Sequence, residues 1–459
     1  MTDTTVKQPG PAVAARTRLL LEGPIVPTML RIAMPNLAVN VILIGVTASV
    51  DAHFVGYLGL DALAGLALVF PFLMLMQQMA NMAMGGAIAA SVARTLGAGR
   101  TEEARALACH ALVIATGSAA LFSAAFLLGG PALYRLLGGR GPILAAALEY
   151  SNVIFAGAIA YWLLGALTSI VRGTGHAAIL AWVYIAAEAL HIALVPLLVF
   201  GWGPVPALGI TGAGVATVIS FLASATALAI YLASNRTAIA LSFAKVRFER
   251  RLFADILNVG GPMSLAPVLN NAALAALTIY AGVLGATSLA AFGAAVRLEY
   301  LLYPLNFSMG AAVLAMMGSN IGARQFGRAA RIAWIALGLS VGAMACVSLI
   351  AIAAPGLWMG LFSSDAKILA DGALYLAIVG LAYPFVAGTL LNSAFQSTRQ
   401  PQWPLAAMGC RLAVVVLGGW IAVEILHTGL SGIAVVTALG LVTMGGVLIG
   451  AFRFFARLG

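Results

Sequence analysis

Apolar residues run along this chain in long, unbroken stretches, and polar residues fall mainly between them. Stretches of roughly 20 apolar residues predict helices that cross a membrane. The pattern places spans at about 32–56, 61–94, 105–130, 145–171, 180–201, 210–234, 253–282, 288–320, 329–354, 368–395, 403–426 and 431–453. A membrane β-barrel would alternate apolar and polar positions instead. Before the first span, Met1 to Ala15 lack an apolar signal core. Arg16 to Arg31 predict an amphipathic lead-in along the membrane surface. No cleavable leader is expected, and the first span serves as its own insertion signal. The longest internal polar stretch, Asn235 to Arg251, follows the sixth span.

Composition agrees with the pattern. Of 459 residues 62% are hydrophobic and 8% charged, against about 25% charged in soluble domains. Too few polar side chains remain to coat a soluble or disordered chain. The net charge of +10 invites a nucleic-acid reading, but its distribution argues for sidedness. With the N-terminus inside, twenty Lys and Arg fall on the inner side. Three (Arg135, Arg140 and Lys367) fall on the outer side, and Arg297 lies within a span. That asymmetry is the positive-inside bias of an inner-membrane protein with both termini cytoplasmic. Cys109, Cys346 and Cys410 lack metal-type spacing and read as small packing residues.

The chain repeats itself at a shift of about 225 residues. Gly56-Tyr-Leu-Gly59 returns as Gly282-Val-Leu-Gly285, and Leu96-Gly-Ala98 as Ile321-Gly-Ala323. Pro131 pairs with Pro355, Tyr150 with Tyr375 and Pro35 with Pro262. The expectation is an all-α membrane protein of two six-helix lobes related by a pseudo-twofold axis. After a cytoplasmic segment 1–31, the N-lobe covers 32–240 and the C-lobe 241–459. Two such lobes can rock about their interface, as alternating access requires.

Four segments carry a resemblance. The first span reads Pro35 … Val50-Asp51-Ala-His-Phe-Val-Gly56-Tyr-Leu-Gly59, and the second ends in Leu96-Gly-Ala-Gly-Arg100. The fourth ends in Arg172-Gly-Thr-Gly175, and the eighth holds Arg297-Leu-Glu299 and Gly318-Ser-Asn-Ile-Gly-Ala323. Together they resemble the bacterial multidrug and toxic compound extrusion (MATE) family over essentially the whole chain. The resemblance implies twelve helices and an ion-coupled exporter of bulky cationic or aromatic compounds, driven by proton or sodium entry. It also implies that Asp51 is the cation-coupling carboxylate. The family's proton-coupled branch carries an Asn and then an Asp on the fifth helix, where this chain has His191 and Val195 before Pro196. The sodium-coupled branch carries a Glu on the seventh helix, where this chain has Asn270 and Asn271.

Polar groups inside spans are costly and therefore become candidates. On the first helix Asn36, Asn40, Thr47 and Asp51 share a face, and Pro35 and Gly45 permit a bend. Asp51 either couples the cation or sits solvated at the helix end. Tyr184, Glu188 and His191 share a face of the fifth helix, as a proton-responsive or a purely structural set. On the eighth, Glu299, Tyr303 and Asn306 share a face. Glu299 is a second coupling candidate, and Arg297 a tie to another helix. Gln77, Gln78 and Asn81 among Met74, Met76, Met79, Met82 and Met84 suggest an adaptable cavity wall or ordinary packing. Asn270 joins the cavity candidates, Pro196 and Pro262 the hinge candidates. Tyr161, Trp162, Tyr280, Tyr383, Asn392 and Gln396 are weaker pocket positions.

No enzymatic or nucleotide-binding motif stands out, so an ion gradient is the expected energy source. The expected protein is a monomer in the lipid bilayer, without cofactor, resident metal or nucleic-acid partner. It takes drug-like cargo and uses H+ or Na+ as the coupling cation. A flippase for lipid-linked cargo would favour a cationic cavity, whereas the mid-span acids outnumber the single Arg297. A non-transporting receptor or scaffold is the alternative of another class.

Overall fold

In the computed structural model, the described residues are 11–234, 239, 241 and 246–455. They form helices almost throughout, and the β pairing among them is one isolated bridge, Trp202 with Val205. A short helix α1 (Pro11–Glu22) precedes α2 (Ile25–Gly56). There follow α3 (Leu60–Gly97), α4 (Thr101–Leu136), α5 (Gly141–Ala156 continued by Ala158–Gly173), α6 (Ala177–Phe200) and α7 (Ile210–Ala233). The second half holds α8 (Arg250–Val283), α9 (Ala286–Gly322), α10 (Phe326–Ala353) and α11 (Ala366–Gly380 continued by Tyr383–Ser397). It ends with α12 (Gln402–Ile425) and α13 (Gly429–Phe455).

Among the described residues, nine of these helices are singly long and apolar enough to cross a membrane, and the bent pairs α5 and α11 add two. With the 32-residue α2, the spans are the twelve expected. The breaks fall where the sequence weakens the helical ladder. The α5 bend of 47° sits at Gly157, and the α11 bend of 56° just before Pro384. At Ser264 the first half of α8 ends beside Pro262, whose missing N–H and ring disfavour a continuous helix. A π-helical turn at Met79–Met84 interrupts α3 directly after Gln77 and Gln78. By contrast α2 stays helical through Pro35, and α6 through Pro196. Asp365 caps α11, its carboxylate accepting from the backbone N–H of Lys367 at 2.9 Å and of Ile368 at 3.0 Å.

Among the described residues two large hydrophobic cores form, whose membership crosses the midpoint, and a small third cluster of Ala89, Ala90 and Leu314 lies between α3 and α9. The first runs from Val55 to Leu232 and also takes in Leu252, Ile256, Val259 and Met263 from the first half of α8. The second runs from Ala266 to Phe452 and also takes in Leu20, Met29, Ile32 and Ala33. Thus α2 starts in the second lobe and ends in the first, while α8 does the reverse. The segment 16–31, expected as one lead-in along the membrane, divides at Gly23 and Pro24. Its second part already belongs to α2, and its first leans on the C-lobe. There Asn320 Nδ2 donates to the Leu20 carbonyl at 3.0 Å, and Arg328 donates to that of Gly23.

Candidate functional site

Four helices of the first lobe converge on Asp51. Its side chain is buried near the end of α2, which sets aside the solvated-end reading. His191 Nε2 on α6 lies 3.0 Å from its Oδ1, and the Tyr150 hydroxyl on α5 donates to its Oδ2 at 3.3 Å. Thr217 on α7 lies beside the Tyr150 hydroxyl. Glu188, likewise buried, lies within electrostatic reach of His191. The expected face of α6 therefore does gather Glu188 and His191. Tyr184 turns aside to Thr168, 3.1 Å away. A carboxylate against an imidazole is an arrangement that can accept or release a proton near neutral pH.

The second lobe has its own buried acid, with a different partner. Arg411 on α12 donates to Glu299 Oε1 at 3.2 Å, to Asn270 Oδ1 at 2.5 Å and to the Tyr303 hydroxyl at 3.3 Å. Tyr303 in turn donates to Glu299 at 3.3 Å. Arg411 is 2% exposed, which corrects its expected place among the twenty basic residues of the inner side. The count of a single mid-span arginine falls with it, and so does the charge argument against a cationic interior. Arg297 is exposed and stacks at 5.1 Å over the Phe362 ring, tying α9 to the α10–α11 connection. Asn306 leaves the expected Glu299–Tyr303 set. Its Nδ2 donates to the Val386 carbonyl at 2.8 Å and to Thr389 at 3.0 Å, bracing the bent α11.

The lobes lock together at the end that carries Arg94, Arg324 and Arg399. There α3 and α9, equivalent in the internal repeat, lie backbone to backbone. A Cβ at Gly97 would fall on the Ser319 carbonyl, and one at Gly322 on that of Arg94. Arg94, 8% exposed, donates to the carbonyls of Gln396 at 3.2 Å and Ser397 at 3.1 Å. It pairs with Asp255 at 3.3 Å, and Arg399 closes on the same carboxylate. Gln396, expected in a pocket, donates instead to the Met82 carbonyl at 3.0 Å as part of this seam. Above the seam, Arg172 donates to Asn81 at 3.3 Å and lies 5.1 Å over Phe307 of the opposite lobe. Asn81 donates to the Tyr161 hydroxyl at 2.5 Å.

The other expected positions are dispersed. Asn36 donates to its own helix, at the Ile32 carbonyl 2.9 Å away. The side chains of Asn40, Gly45 and Thr47 lie outside the described residues. Gln77, Gln78, Asn271 and Asn392 are half-buried, and Trp162 and Tyr383 are buried. Tyr280 donates to the Val416 carbonyl at 2.8 Å, within the C-lobe. Of the cysteines, Cys109 is buried as expected, whereas Cys346 and Cys410 are exposed.

Sequence reasoning did not place Tyr150, Arg411 or the Arg94–Asp255 pair among the site candidates. Tyr150 carried a signal, because it repeats as Tyr375 and each hydroxyl meets a threonine of the next helix but one. The Tyr375 hydroxyl lies 3.3 Å from Thr437. Arg411 gave none, because nine residues into a span is within the reach of a snorkelling side chain.

Comparison with known proteins returns one family. The MatE family model matches residues 37–197 and again 262–421. A FAD transporter of Shewanella oneidensis is 26% identical over 401 residues, 87% of this chain and 88% of that protein. The multidrug export protein MepA of Staphylococcus aureus is 23% identical over 83% of each chain. Among solved structures, an outward-facing MATE family multidrug resistance transporter superimposes with a TM-score of 0.84. It is 23% identical, with 96% of this chain and 98% of that one covered. A MOP superfamily transporter from Pyrococcus furiosus gives 0.87 at 22% identity, with the same coverage.

Proposed function

The chain belongs to the MatE family of membrane transporters, and from that premise we propose that it is a proton-coupled antiporter. It exports bulky aromatic or cationic compounds by alternating access of its two lobes. The observation that carries the coupling reading is the environment of Asp51. Both carboxylate oxygens face hydrogen-bond partners that titrate or donate, His191 at 3.0 Å and Tyr150 at 3.3 Å. A hard cation such as sodium wants several converging oxygen lone pairs, whereas this cluster offers a proton a basic nitrogen and a carboxylate.

The basic end faces the cytoplasm in this reading, by the positive-inside rule. The locked seam at Arg94, Gly97 and Gly322 then makes the present conformation closed to the cytoplasm. A proton arriving from outside neutralises Asp51 and loosens its hold on His191. Because α2 is rooted in the second lobe at Met29 and Ile32 and ends in the first at Val55, that release alters the coupling between lobes. Cargo leaves outward, and the proton is surrendered inward after the lobes rock. The proton does work only if it binds one lobe arrangement better than the other.

The test is efflux from proteoliposomes with pH and sodium gradients imposed independently. A proton gradient opposed to cargo movement drives efflux, and a sodium gradient alone does not. Sodium-driven efflux at equal pH overturns the reading. A second cargo, an acidic flavin nucleotide, is favoured by the similarity to the Shewanella FAD transporter along most of both chains. The same liposomes, loaded with FAD or with a cationic dye, separate the two.

A further inference from the structure

The two buried carboxylates differ in what neutralises them. Glu299 is 4% exposed and Arg411 2%, and the pair is closed by Tyr303 and Asn270 into a four-residue cluster. All four belong to the second lobe: Asn270 to the second half of α8, Glu299 and Tyr303 to α9, and Arg411 to α12. When the lobes rock, this cluster travels as one body. Asp51 instead stands on α2, which is rooted in one lobe and ends in the other.

We propose that Arg411 is a tethered counter-cation that takes Glu299 out of the coupling cycle, so that the transporter exchanges a single cation per turnover, at Asp51. The proposal rests on the reading of Asp51 given above and assigns the stoichiometry and the specificity between the two acids. A guanidinium stays charged throughout the physiological range. With it in place, Glu299 has no charge left for a travelling cation to neutralise. A proton landing on Glu299 would strand the guanidinium as a lone buried charge, which protein interiors tolerate poorly. His191, the base on the fifth helix of the first lobe, can lose its charge, whereas Arg411, on the fifth helix of the second, cannot. One lobe is thereby built to titrate and the other to stay fixed.

The test counts protons bound by the purified full-length protein from about pH 5 to about pH 9, together with the infrared carboxyl band of the protonated acids. A transport arm measures the proton-to-cargo ratio in liposomes. The double variant Glu299→Gln/Arg411→Gln is expected to bind as many protons as wild type and to keep the same ratio. Arg411→Gln alone is expected to bind one more proton, with a new carboxyl band that the double variant lacks. If the single variant does not fold, the double variant decides by its proton count and ratio. A double variant that binds one proton fewer, or whose ratio falls, overturns the proposal, and so does a folded Arg411→Gln whose proton count is unchanged. Asp51→Asn separates this from the function itself. An unchanged proton count in that variant sinks the Asp51 reading, whatever the outcome at Glu299.

Discussion

The first lobe sets a carboxylate against a histidine, and the second sets one against an arginine. Both clusters are buried, both take their base from the fifth helix of their half, and both lie beside a tyrosine that meets a threonine, Tyr150 with Thr217 and Tyr375 with Thr437. The difference lies in what each base can do. Imidazole changes charge near neutral pH, and guanidinium does not. The helices differ in the same sense. The carboxylate of the first cluster stands on α2, which bridges the lobes, and that of the second on the stretch of α9 from Ala291 to Leu302, whose buried apolar residues belong to the second core. In the proposed reading, a duplicated fold keeps its scaffold and divides the work, with exchange in one half and permanent neutralisation in the other.

The comparison predicts that damage to the first cluster appears in transport, and damage to the second in stability. The largest effect is expected at Asp51. Asp51→Asn reduces efflux to that of cells lacking the protein, while the purified variant keeps its melting temperature. Full drug resistance in cells expressing it would break the comparison at once. Next is the seam that both lobes need. Gly322→Leu places a side chain on the Arg94 carbonyl, so the seam, cytoplasmic in the proposed reading, cannot close. Transport is expected to be lost, and cysteine labelling of the mouth at the seam to rise. A variant that labels like wild type would contradict the close approach.

His191→Gln is expected to leave partial efflux with a flattened dependence on external pH, measured at fixed internal pH. An unaltered pH profile would move the titrating role to another group. Glu299→Ala leaves Arg411 buried without its carboxylate and should cost about 3–5 kcal/mol. Thermal unfolding in detergent measures the loss, and replacing both partners with glutamine should recover most of it. The smallest effect is expected at Asn306. Asn306→Ala removes a donor from the Val386 carbonyl and should cost about 1–3 kcal/mol with transport nearly intact. A strong transport defect without destabilisation would return Asn306 to the cavity face expected from spacing.

Much of the fold was legible because membrane burial is a nearly one-dimensional property. The twelve spans, the two-half repeat and even the break at Pro262 follow from the local run of residues. Helix faces were legible too, and Glu188 with His191 did prove to share one. The partners were not. Asn306 lies at the right spacing to join Glu299 and Tyr303, yet it turns to α11. Gln396 has the chemistry of a pocket residue, yet it closes the seam against Met82. Spacing along one helix says which residues point together, and nothing about which neighbouring helix arrives there.

The sequence by itself therefore determined that this is a helical membrane protein of two similar halves, and that an acid inside an apolar run, such as Asp51 or Glu299, must have a purpose or a partner. The cost of an unpaired charge in an apolar medium is enough for that conclusion. Only the tertiary structure decided that Asp51 meets His191 and Tyr150 while Glu299 meets Arg411. It alone decided that α2 and α8 exchange lobes midway and that Asp255 holds Arg94 and Arg399 at the seam. These pairings join residues up to 161 positions apart, as Arg94 and Asp255 are. They depend on the rotation and depth of whole helices against one another, which are fixed by packing and not by any local pattern.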